Sequence, residues 1–221
     1  MSASAEEREG PLTRVTNFVY RLIVIEVAFV LATLPALLGI LLLDQEPSNI
    51  PLYGLFALFF GPAITAGVYA WRGDHDLIPW LRYWKGWVES LRQTLAVWTP
   101  VVAFATLASF NAAFAQVPAA LLLGGAVLAG AVVLAGVATL VVIATFDFRT
   151  RDLFRVVMYG LASAPLSALG VLSLFLVVGA IVVLWSDWVA VLLASVMLWL
   201  LTRTVGPMLA QVRQDLVVSR E

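Results

Sequence analysis

Cysteine is absent from these 221 residues, histidine occurs once, and charged side chains make up only 12% of the chain. Without cysteine there is no disulfide framework, thiol nucleophile, zinc knuckle or iron–sulfur ligand set. The single histidine leaves few general bases, and no GxSxG, phosphate-loop, HExxH or dinucleotide fingerprint occurs. Catalysis and bound cofactors are therefore not expected. The shortage of charge excludes more. Soluble domains carry about 25% charged residues, whereas here 62% of residues are hydrophobic. The longest polar segment, after residue 71, is too short to bury a core of its own. With a net charge of −1 and no basic stripe, nucleic acid is not an expected partner.

What is present is a series of apolar stretches of membrane-crossing length. Hydrocarbon about 30 Å thick needs roughly 20 helical residues, and six segments meet that need: about 22–43, 52–71, 94–114, 119–146, 156–185 and 189–208. The expected fold is all-α, a single polytopic membrane domain in the lipid bilayer. The acidic, small N-terminus does not resemble a basic leader, and the first apolar stretch exceeds a signal-peptide core, so it is read as retained. All 13 Lys and Arg residues fall at the termini, in alternate loops or near the C-terminal end of the last span. The opposite segments hold Asp44, Glu46 and Asp187 and no positive charge. The positive-inside rule then places both termini in the cytoplasm, in a bacterial inner membrane. The fourth stretch carries small residues four apart, such as Gly125 and Ala129, or Ala126 and Gly130, and is expected at the centre of the bundle. No internal repeat is evident between the two halves.

Residues 77–93 differ in kind. Leu77, Trp80, Leu81, Trp84, Trp87, Val88 and Leu91 recur at helical spacing opposite Arg82, Lys85, Glu89 and Arg92. Asp76 can cap this helix, Pro79 is tolerated in its first turn, and Lys85 and Glu89 are spaced to pair. Tryptophan with Arg and Lys suits the headgroup zone, so the pattern predicts an amphipathic helix flat on the cytoplasmic surface. Trp80, Arg82, Trp84, Lys85, Trp87 and Arg92 become candidate contacts for lipid or a partner. Aromatic rows can also stack on sugars, but membrane anchoring explains these tryptophans more simply.

Within the spans, Glu26 is the one acid well inside, about 9 Å from the midpoint of the first helix. Arg203 on the last span lies at a comparable depth. The two form a candidate intramembrane charge pair, either a structural tie or a proton- or cation-coupled site. His75, between Asp74 and Asp76, lacks the further ligands that a metal would need, so no metal site is expected.

Gly61, Pro62, Ala63, Ala66 and Tyr69, in GPAITAGVYAWR, precede an aromatic and basic run carrying Trp84, Lys85, Gly86, Trp87, Arg92 and Gln93. This arrangement resembles the signature region of the YesL-like bacterial membrane proteins, a family defined as a domain of unknown function. Leu34-Pro35 and residues 155–172 extend the resemblance, while Ser90 stands where the family usually has asparagine. Because such relatives tend to be encoded beside sugar-binding proteins, sugar permeases and glycoside hydrolases, the resemblance implies a non-catalytic accessory or assembly partner of carbohydrate uptake. It would contact permease components and is compatible with homo-oligomers. The alternative reading is a small secondary transporter with a proton- or cation-coupled site at Glu26. An ATP-driven permease subunit ranks lower, since the coupling motif of such subunits is absent.

Overall fold

Apolar side chains bring a backbone into hydrocarbon where its amides and carbonyls can find no water, and the helix satisfies them within one segment. The computed structural model describes residues 10–72, 78–116, 118–146 and 148–213, and every regular element among them is helical. In chain order these are α1 (Pro11–Leu42), a single 3₁₀ turn (Pro47–Asn49), α2 (Ile50–Ala57), α3 (Phe60–Arg72), α4 (Pro79–Phe114) and α5 (Ala119–Ile143). They continue with α6 (Thr150–Ser163), α7 (Pro165–Leu184), α8 (Asp187–Leu192) and α9 (Ala194–Val212). Five stretches, Leu12–Leu42, Pro47–Arg72, Pro79–Phe114, Ala119–Ile143 and Pro165–Leu184, are long and apolar enough to cross a bilayer. The chain is a helical membrane protein.

Three boundaries differ from the pattern-based expectation. Residues 77–93 do not form a separate surface helix: from Pro79 onward they run without interruption into the next stretch as α4, 36 residues long. At 1.5 Å per residue α4 spans about 54 Å, so part of it extends past about 30 Å of hydrocarbon. Its apolar stripe, Tyr83, Gly86, Thr94 and Trp98, is buried against α3, which is why this segment stands with the bundle. The stretch expected at 156–185 breaks at Ala164 (φ −124°, ψ 70°), because proline at the next position disfavours helical backbone at the residue before it. The piece released, α6, is itself amphipathic. It buries Leu153, Val156, Val157 and Gly160 and exposes Arg151, Phe154, Arg155, Met158 and Tyr159. Lastly, the stretch expected at 189–208 divides at Leu193 (φ −103°, ψ 6°) into α8 and α9.

The centre of the bundle is α3, not α5. Nine of its thirteen residues are buried, and its small side chains admit neighbours at close range. A Cβ on Gly61 would lie 2.5 Å from the Trp98 ring, and one on Gly67 would lie 2.5 Å from Leu198 on α9. In α5 only the last third, from Gly136 to Ile143, is buried. Gly124, Gly125 and Gly130 have nothing within 4 Å of an added Cβ. The small residues of α5 therefore do not mediate the packing that their spacing suggested.

This contrast is directly measurable. Gly61→Leu should overpack the contact with Trp98 and destabilise the protein by about 1–3 kcal/mol, while Gly125→Leu should leave it within about 0.5 kcal/mol of wild type. Thermal unfolding in detergent checks both, and equal melting temperatures would contradict the placement of α3.

Candidate functional site

The first amides of a helix have no carbonyl of their own to meet, and in α9 these are the amides of Ala194 and Ser195. Glu26, halfway along α1, supplies the acceptor. Its Oε2 takes a hydrogen bond from the Ser195 amide at 2.7 Å, and the Ala194 amide also interacts with the carboxylate. The positive end of the α9 dipole stabilises the negative group placed there. Only one of the two oxygens is used. Glu26 Oε1 is buried and has no hydrogen-bond partner among the described residues, and the same holds for Ser195 Oγ beside it. Contacts of Glu26 with Ser195 and of Phe18 with Trp199, ring centroids 5.4 Å apart, show α9 running antiparallel to α1.

Arg203 does not join Glu26. Its guanidinium lies over the ring of Trp199, 5.6 Å from the centroid, and the one ion pair among the described residues is Lys85 with Glu89 at 3.9 Å. Both members of that pair are about half exposed, so it contributes at most about 1 kcal/mol. Arg21, Arg82 and Arg213 repeat the arrangement of Arg203 over Trp71, Tyr69 and Phe146 respectively. Arg21 also donates to Ala70 O in the last turn of α3, where a cation meets the negative end of that helix.

A cavity of about 570 Å³ lies between α1, α3, α5, α7, α8 and α9, within the usual range of ligand sites. Phe29, Phe60, Phe175 and Trp188 contribute aromatic surface, Gln45 is the one lining residue with an amide, and no lining residue is ionisable. Ala194 belongs both to this wall and to the amide pair that meets Glu26, and Phe29 lies three residues beyond Glu26, on the same side of α1. Glu26 itself does not line the apolar, aromatic-lined cavity; its carboxylate sits behind the wall at Ala194.

Most of the other candidate residues pack within the bundle. Gly61, Pro62, Ala63 and Ala66 are buried in α3. Ala63 O accepts from the Tyr83 hydroxyl at 3.2 Å, and Tyr69 packs on Gly86, whose added Cβ would lie 2.7 Å from that ring. Trp80, Trp84 and Trp87 form a ladder of edge-to-face rings with centroids 5.8 and 6.0 Å apart. Lys85 and Arg92 are exposed. Gln93 donates to Phe148 O at 2.7 Å, tying α4 to the segment before α6. His75 and Asp76 lie outside the described residues, and among those described no group of three His, Asp or Glu could hold a metal. The sequence reading missed Ala194 and Ser195. No glycine or proline marks the break at Leu193, and a serine in an apolar stretch carries no signal of its own.

The fold and this site define a helical membrane protein with a carboxylate-capped helix break beside an open apolar pocket. No protein-family model, curated protein or solved structure matches the chain.

Glu26→Ala would leave the buried Ser195 amide without its acceptor, so it should cost about 1–3 kcal/mol of stability. The reciprocal exchange Glu26→Arg with Arg203→Glu should not restore the loss, because the two side chains do not meet. Melting temperature and folded yield in detergent measure both effects, and rescue by the exchange would overturn this placement.

Proposed function

We propose that this chain is a non-catalytic secondary transporter of six crossings, coupled to a proton or cation at Glu26. The observation that carries the reading is the half-used carboxylate: one oxygen caps α9 while the other is buried without a donor among the described residues, behind the Ala194 end of a cavity wall. Ionisable groups at membrane depth are costly unless paired, and they mark ion pathways. Helix breaks near substrate sites are the usual means by which transporters expose backbone dipoles to a bound charge. Here α8 and α9 together supply the sixth crossing, antiparallel to α1. With the positive charges facing the cytoplasm, both termini lie on the cytoplasmic side of the bacterial inner membrane. The free small-residue face of α5 is available for a second copy of the chain.

The accessory role in carbohydrate uptake, with membership of the YesL-like family, is the second reading. It rests on the motif resemblance together with the exposed Arg151, Phe154, Arg155 and Met158 stripe of α6, a surface on which permease components could dock. Sugar itself is a poor match to the cavity. Each hydroxyl buried there without a partner would cost about 1–3 kcal/mol, and Gln45 is the one amide in the wall.

Proton movement separates the two readings. Vesicles containing pyranine, given a potassium diffusion potential with valinomycin, should acidify faster with the wild-type protein than without it. Glu26→Gln, purified with an unchanged melting temperature, should fall to the protein-free rate. Acidification indifferent to Glu26→Gln, with sodium uptake under the same potential equally indifferent, would sink the transport reading, and recovery of a permease subunit under mild detergent would then favour the accessory role.

A further inference from the structure

The lining of the cavity and the charge behind its wall narrow the kind of molecule it can take. A polar ligand would lose its hydrogen bonds to water and find one amide, Gln45, in return. An anion would face no lining cation and would approach the carboxylate of Glu26. An apolar ligand loses nothing on entry, and a positive charge upon it would meet two kinds of complementary group. The first is the faces of Phe29, Phe60, Phe175 and Trp188, whose ring quadrupoles attract cations. The second is the charge of Glu26, which does not line the cavity but acts from behind its wall: Oε1 is enclosed and unpartnered among the described residues, and the capped amide pair includes the wall residue Ala194. A lipid acyl chain would satisfy the wall but make no use of the carboxylate.

We infer that the cavity binds a lipophilic monocation, an aromatic or alkyl body of drug size carrying a single delocalised or quaternary positive charge, with Glu26 as its counter-charge. This deepens the transport reading and rests on it for the role of Glu26. Binding and proton movement can nevertheless fail separately. The charge is held behind the cavity wall and not inside the cavity, so apolar contact supplies attraction while Glu26 supplies the sign. The 2.7 Å bond to Ser195 gives a further consequence. A cation drawn to Glu26 competes with the positive end of α9 for the same carboxylate, so occupancy should loosen the cap and couple the cavity to the break at Leu193.

Two ions of nearly the same size and opposite charge test this directly. The purified full chain, in nanodiscs of zwitterionic lipid, should bind tetraphenylphosphonium saturably, read by quenching of tryptophan fluorescence and by radioligand retention, and should not bind tetraphenylborate. Glu26→Gln should weaken phosphonium binding by about tenfold or more, the effect of removing one nearby charge from a poorly screened site. Val178→Trp, which fills the cavity from α7, should abolish it with Glu26 intact, and this second variant decides the matter if Glu26→Gln fails to fold. Equal binding of the two ions, or phosphonium binding unchanged by both substitutions, would overturn the inference and identify the cavity as a site for lipid tails. Phosphonium binding without Glu26-dependent proton movement would leave the ligand class standing and defeat the transport reading. Glu26-dependent proton movement without phosphonium binding would do the reverse.

Discussion

An amide or carbonyl that leaves its helical partner inside hydrocarbon has no water to turn to, and the structure depends on how that debt is met at each interruption of its helices. Between α2 and α3 the indole of Trp98 donates to Ala57 O at 3.0 Å, across 41 residues of sequence. At the start of α9 Glu26 accepts from Ser195, across 169. At the turn after α1 the Tyr53 hydroxyl reaches Leu43 O and Asp44 O at 3.3 and 3.2 Å. In each case a side chain from one helix completes the backbone of another segment. The bonds at Ala57 and Ser195 therefore set register as well as stability, since a slide of either partner would leave a buried polar group bare.

Close packing around α3 supplies the rest. Its glycines and alanines let Trp98, Tyr69 and Leu198 approach its backbone, and the Thr65 and Thr94 hydroxyls meet at 3.3 Å between α3 and α4. On this side the bundle is dense. On the other side, where α7, α8 and the start of α9 face α1, the walls are large apolar side chains that do not close, and the cavity occupies the gap. The break at Leu193 lies along that wall. The group that satisfies the break therefore lies behind the same stretch of wall, at Ala194, which links a structural requirement to the cavity.

Much of the outline was legible from residue types. The apolar stretches became helices close to their expected positions, and the i, i+4 spacing of Lys85 and Glu89 gave the expected ion pair. The role of 79–93 was not legible. Tryptophan, arginine and lysine on a helix suit a headgroup layer and a protein neighbour equally well, and only the contacts of Tyr83 and Gly86 with α3 distinguish the two. The same ambiguity reversed the roles of α3 and α5. Small residues four apart permit close approach, yet nothing in the spacing says whether another helix is there to approach.

The sequence alone determined that this is a helical membrane chain, where its long apolar helices lie, and that its positive charge is segregated, because hydrocarbon thickness and the cost of burying charge act on residue type and run length. It also singled out Glu26, for an acid at that depth must find a partner. Which partner was decided only in three dimensions. Arg203 had the complementary charge but turns to Trp199, while the Ser195 amide, invisible in a string of side chains, had the greater need. A backbone donor is the same at every residue, so the choice among such donors comes from where the helices break and what packs beside the break.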